Sequence, residues 1–303
     1  MNFIQQAYTG EPQFWKYLLP TLGLFGLVIL NSVVISVWEL DTNEIMQQQI
    51  LSKGANRVFF ENLIMFVIFL GGLFIWVRFV HQQSIISLTT SRNKIDFRRI
   101  FFAFSLWAII TVGMVLYAYY AMPEDFVWNF NFNKFIVLAL LSIVLLPIQT
   151  SFEEYFFRGY LMQGLGVLVK NRWFPLLFTS VTFGLMHMAN PEVDKLGLIL
   201  MVYYIGTGLF LGIITLMDEG LELALGFHAA NNLVTALLVT TDWTAFQTDS
   251  ILRDVSEPSA GFDIIVPVFI LFPILLFVFA KKYGWQNWKE KLTGKIEKPV
   301  LID

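Results

Sequence analysis

The chain has 303 residues, of which 56% are hydrophobic, 17% aromatic and only 14% charged. A soluble domain carries roughly 25% charged residues, so this composition excludes a cytosolic enzyme, a disordered tail and a nucleic-acid binder, and describes a membrane protein. A mean hydropathy of +0.65 agrees, and a net charge of −3 offers no global field to a polyanion.

Apolar runs of roughly 20 residues are long enough to cross a bilayer as helix. About eight occur, near 14–38, 58–80, 100–121, 135–169, 174–190, 196–217, 223–241 and 262–280. The expected fold is therefore an all-α polytopic bundle of about eight transmembrane helices, a single membrane domain over 1–303. The run beginning at Phe14 follows a polar, acid-containing stretch and lacks a basic segment and cleavage site, so it reads as a retained anchor. Lys and Arg collect after the second run (Arg78, Arg92, Lys94, Arg98, Arg99), at Lys170 and Arg172, and in the tail from Lys281 to Lys298. With eight spans these fall on one side, which places both termini in the cytoplasm. The segment Asp218, Glu219, Glu222 falls on the same side and is acidic, against the trend. Gly206, Gly208 and Gly212 predict close helix packing in the sixth span.

Ionisable groups inside a span cost roughly 2.5–3.5 kcal/mol or more unless paired or hydrated, so the few present are informative. The fourth run is interrupted by Glu153, Glu154 and Arg158; His187 and His228 lie within later runs, and Asn231 and Asn232 follow His228. Glu154 and Arg158 are spaced to pair on one helix face, and Glu153 points about 100° away. His228 and Asn232 share a face in the same manner. Counting from the hairpin near 170–173 puts Glu153 and His187 at depths differing by only ~5 Å. His228 reaches that depth if the long fourth helix, with Pro147 as a candidate kink, overhangs into the cytoplasm. Singly, each group has an ordinary reading: a structural ion pair, an interfacial histidine, interhelical hydrogen bonding. Together they describe a polar site able to activate a water, polarise a carbonyl and bind an oxyanion, with or without a metal. The chain has no cysteine, so thiol chemistry is excluded, and no His-Glu-x-x-His pair or Gly-x-Ser-x-Gly elbow.

Glu153-Glu154-x-x-x-Arg158, then Phe183-x-x-x-His187, then His228-x-x-x-Asn232 resemble the three motifs of the CPBP family. That family contains the type II CAAX prenyl endopeptidases and the bacterial bacteriocin-processing and self-immunity (Abi) proteins. The resemblance covers about 135–241 as a catalytic core and implies an intramembrane endopeptidase acting on a membrane-associated protein or peptide. It implies Glu153 as general base, His187 positioning the water, Glu154 and Arg158 supporting the site, and His228 and Asn232 stabilising the oxyanion. The family is commonly labelled metalloprotease, so the implied cofactor is either none or zinc, held by Glu153, His187 and His228 with a water. A non-catalytic immunity or scaffold protein is the alternative reading. A proton-coupled carrier ranks last, because no paired halves are evident. The compact chain reads as a multi-pass protein of a bacterial inner membrane, with the bilayer and a peptide substrate as partners and no nucleic acid.

Overall fold

A computed structural model describes residues 1–299, apart from the side chains of Phe262 and Asp263. A short 3-10 turn, Ile4–Thr9, leads into α1 (Phe14–Val37), α2 (Thr42–Lys53) and α3 (Ala55–Ile75, continuing to Val80). There follow α4 (Ile85–Thr89), α5 (Phe97–Ala121) and strand β1 (Phe126–Trp128). Next, α6 (Phe132–Glu154) passes through a π-helical turn, Tyr155–Leu161, into α7 (Met162–Val169). The hairpin partner is α8 (Trp173–Leu185), then α9 (Pro191–Leu196), α10 (Leu200–Asp218) and α11 (Glu222–Leu238). Strands β2 (Val239–Thr240) and β3 (Leu252–Asp254) precede α12 (Phe262–Val266), α13 (Phe272–Tyr283) and α14 (Trp288–Thr293).

The all-α membrane architecture expected from composition is what the chain adopts. Among the described residues six helices have the length and composition to cross a membrane: Phe14–Val37, Ala55–Val80, Phe97–Ala121, Phe132–Val169, Leu200–Asp218 and Ile264–Tyr283. Two of the eight expected spans are shorter. The run 174–190 yields a 13-residue α8, about 20 Å long, and the run 223–241 a 17-residue α11. The first ends at Leu185 and passes through a turn to Asn190, which precedes Pro191 in extended conformation, at φ −72° and ψ 142°. His187 consequently sits in the turn after α8. Pro147 does not end its helix; Phe132–Val169 is continuous over 38 residues, ~57 Å at helical rise. Neither α2 nor the three-stranded sheet was foreshadowed by hydropathy; in the sheet, β3 pairs antiparallel with β1 and parallel with β2.

Small residues let the buried helices approach one another. A Cβ on Gly226 of α11 would strike the Ile100 carbonyl of α5, and one on Gly208 of α10 would lie 2.7 Å from the Ser180 carbonyl of α8. Gly206 and Gly212 are packed likewise, against Val268 and Leu176. Around the α5–α11 contact Trp107, Phe210, Phe227 and Phe272 form one aromatic core.

One face of the bundle gathers the termini and the basic loops. Asp218 pairs with Arg92 at 2.9 Å and Arg99 at 2.5 Å, and Glu222 with Arg92 at 3.1 Å. Glu219 pairs with Arg172 at 3.2 Å and Lys291 at 3.3 Å, and accepts from the Phe3 N–H at 2.6 Å. The acidic segment that ran against the charge trend is thus the counter-ion of that trend. The opposite face holds the sheet, α2 and the loop after α8, joined by Gln47 to Asp242 and by Glu192 to the Ala245 N–H.

His81, at the start of the basic loop, is buried between Tyr17 and Tyr160, with ring centroids at 4.3 and 5.4 Å. Its Nδ1 lies 3.0 Å from the Glu11 carbonyl and its Nε2 3.2 Å from the Tyr160 hydroxyl, with the Lys16–Glu11 ion pair nearby. Burial pushes the imidazole from 6.5 down to about 4. The native chain keeps it neutral where an unfolded chain would take up a proton, so its contribution to stability is whole above about pH 6.5 and lost as pH falls toward 4. The thermal midpoint of detergent-solubilised protein is expected to decline between pH 6.5 and 5, and His81→Gln to flatten that decline. At the α5–α11 crossing, Gly226→Val forces the helices apart; a loss of about 1–3 kcal/mol is expected from its thermal unfolding.

Candidate active site

The polar residues of α6 and α11 meet between the two helices. Arg158 and Glu154 are both fully buried and pair at 3.0 Å one turn apart, as their spacing predicts. The π-helical turn that begins at Tyr155 carries Arg158, and such turns recur at functional sites. Arg158 also donates from Nη2 to the Gly208 carbonyl at 3.1 Å, and its guanidinium lies 4.2 Å from the Phe183 ring centroid. The missing Cβ at Gly208 that admits α8 therefore also brings α10 within reach of Arg158.

His228 stands between the two acids. Its Nδ1 is 2.8 Å from Glu154 Oε1 and its Nε2 is 3.5 Å from Glu153 Oε2. The 2.8 Å contact requires a proton between Nδ1 and Glu154, carried by the ring or by the acid, whereas the 3.5 Å approach to Glu153 is electrostatic only. Arg158 and the imidazole thus stand against two carboxylates, so the polar groups of the site face one another inside the bundle, away from lipid. Glu153 Oε1 accepts from the Gln149 amide, whereas Oε2 is buried without a hydrogen-bond partner. Asn232 Nδ2 donates to Gln149 Oε1 at 2.9 Å, which draws Asn232 to the same acid.

The structure thus brings together Glu153, Glu154, Arg158, His228 and Asn232. His187 stands slightly apart. Its Nδ1 is 2.8 Å from the Phe183 carbonyl and its ring stacks on Tyr204, centroids 4.3 Å apart. The Phe183 ring touches both histidines, at 4.8 Å from His187 and 5.9 Å from His228, so one aromatic platform separates and aligns them. Tyr204 donates to Glu192 Oε1 at 2.6 Å, and Glu192 Oε2 accepts from the Ala245 N–H at 3.0 Å. These contacts fix the turn that carries His187.

The three donors considered for zinc do not converge. Among the described residues no set of three His, Asp or Glu side chains lies within reach of one ion. His228 directs its nitrogens to Glu154 and Glu153, and His187 turns Nδ1 to a carbonyl and leaves Nε2 available, an orientation that would equally serve a metal ligand or an acid–base group.

Gln149, Trp107, Tyr204 and Glu192 carried no signal as site residues, since an amide or an aromatic at a span edge is commonplace. For Gln149 the spacing was available: it lies one helical turn before Glu153.

Residues 131–234 match the family model for type II CAAX prenyl endopeptidase Rce1-like proteins. The chain carries an Rce1-like segment. It contains all seven motif residues and overlaps the helices that build the site, in agreement with the resemblance read from the motifs. Over a longer stretch the chain is similar to the uncharacterized protein YyaK of Bacillus subtilis (strain 168), 29% identical over 248 residues, or 79% of this chain and 83% of that protein. No solved structure matches it.

Arg158→Met leaves Glu154 as a buried acid without its cation, for which a cost of about 3–5 kcal/mol is expected. Thermal unfolding of Arg158→Met beside the double variant Glu154→Gln, Arg158→Met checks this, the double variant being the more stable of the two.

Proposed function

We propose that this chain is a membrane-embedded, CAAX-protease-like endopeptidase in which Glu153 activates a water. The observation that carries the reading is the Glu153 carboxylate: one oxygen is held by Gln149, and the other is buried, unpartnered and turned toward His228 Nε2. The Rce1-like match supports the reaction class.

In this mechanism the water oxygen attacks the scissile carbonyl carbon while its proton passes to Glu153 Oε2. The carbonyl electrons move onto oxygen, and the Asn232 N–H left over from its bond to Gln149, with the proton shared at His228, stabilises the oxyanion. When the carbonyl re-forms, the C–N bond breaks and Glu153 returns its proton to the departing nitrogen, leaving a carboxyl and an amine. Glu154 and Arg158 hold His228 and set the charge balance of the site. His187, on the Phe183 platform, positions the water. These steps use only side chains of the chain; zinc content is part of the test.

The substrate of this reading is a membrane-associated protein or peptide with its scissile bond near the charged face that gathers the termini. The excess of Lys and Arg there supports a cytoplasmic assignment for that face and for both termini in a bacterial inner membrane.

The decisive experiment is cleavage of a labelled peptide library, farnesylated peptides included, by purified detergent-solubilised protein, with bound zinc quantified in the same samples. Glu153→Ala is expected to lower kcat roughly 10²–10⁴-fold and His187→Ala to lower it as well. Absence of cleavage by wild type in every lipid condition, with variants equally folded, overturns the enzyme reading in favour of a non-catalytic immunity or scaffold protein.

A further inference from the structure

A continuous run of hydrogen bonds reaches Glu153 from α5, through Trp107, Asn231 and Gln149, which the motifs do not include, and Asn232, which they do. The Trp107 indole N–H donates to Asn231 Oδ1 at 3.0 Å. Asn231 Nδ2 donates to Asn232 Oδ1 at 3.1 Å, and Asn232 Nδ2 donates to Gln149 Oε1 at 2.9 Å. Gln149 Nε2 completes the run by donating to Glu153 Oε1.

The two ends have fixed polarity. An indole nitrogen only donates, and an ionised carboxylate only accepts. An amide between such ends has one orientation that satisfies both neighbours, so the three amides are locked in one direction and cannot flip singly. The donor end is itself immobile, because Trp107 is buried with its ring 4.5 Å from Phe227 and 6.0 Å from Phe272. The run crosses from α5 through α11 to α6 and so ties three helices to the orientation of one carboxylate.

We infer that Trp107 and Gln149 are positioning residues that choose which oxygen of Glu153 is the base; this rests on the reading of Glu153 as the group that activates water. Capping Oε1 leaves Oε2 as the oxygen free to take a proton, and Oε2 is the one beside His228 Nε2. The same run occupies one N–H of Asn232 and leaves the other for an oxyanion. Without the Trp107 donor the direction of the amides rests on the Glu153 carboxylate alone, and a reversed Gln149 would present its carbonyl to that carboxylate.

The test uses the full chain in detergent and the library peptide that wild type cleaves fastest, with thermal midpoints recorded for every variant. Gln149→Met and Trp107→Phe are each expected to lower kcat roughly 10- to 100-fold while KM stays within about twofold. The double variant is expected to lose no more than the more damaged single variant, because one run is broken once or twice with the same result. Asn231→Asp keeps the acceptor for Trp107 at nearly constant volume but reverses the direction of the run, so a loss at least as large as that of Gln149→Met is expected. It also serves if Trp107→Phe does not fold. Wild-type kcat in folded Gln149→Met, with Glu153→Gln inactive, overturns the inference and spares the enzyme reading. Losses of kcat that multiply in the double variant, in step with additive falls in thermal midpoint, overturn it in favour of a structural role. A wild type that cleaves nothing overturns the enzyme reading and this inference with it.

Discussion

A guanidinium inside a bilayer must be neutralised where it stands, and the arrangement of this protein follows from how Arg158 meets that demand. Glu154, one turn earlier, supplies the charge; the Gly208 carbonyl takes a further donor; the Phe183 ring lies against the cation. Each of these partners belongs to a different stretch of chain, so satisfying one side chain draws α6, α8 and α10 together. Glu154 then holds His228 as well, which brings α11 to the same point. The second acid, Glu153, is tolerated beside that imidazole, which faces both carboxylates, and against the Gln149 amide.

The same economy recurs at the charged face, where the bundle meets water. Asp218, Glu219 and Glu222 are buried or nearly so, and each has a basic partner from a segment distant in sequence. There the paired groups hold loops and the N-terminal segment in place; in the interior they hold the candidate site. Between the two layers the contacts are apolar and close, with glycines where backbones cross.

What the sequence made legible was what costs free energy to place in a membrane. Glu153, Glu154, Arg158, His228 and Asn232 were visible because charged and amide groups are expensive inside apolar runs and seldom recur there at helical spacing by chance, and their order carried the family resemblance. Less legible was anything whose cost is small. Gln149 and Trp107 look ordinary one residue at a time, and only the folded chain shows that they share a hydrogen-bonded run. Element ends were misjudged where hydropathy continued past a break: the apolar run through Met186 and Met188 hid the exit from α8 at Leu185. The strands of two or three residues were invisible because their pairing is set by the helices they follow.

The composition of the charged face has a bearing on the order in which the molecule is completed during synthesis. Arg92 and Arg99 emerge more than a hundred residues before Asp218, and Glu219 acquires Lys291 only about seventy residues after it emerges itself. Ile296 then bonds to the Lys170 carbonyl and Gln5 to that of Glu297, so the first and last segments close over the same helix ends. Until that moment several cations and carboxylates wait at the membrane surface without partners. A nascent chain in this state is held at that face by water and lipid headgroups, and the face is closed only after residues 291–297 have docked.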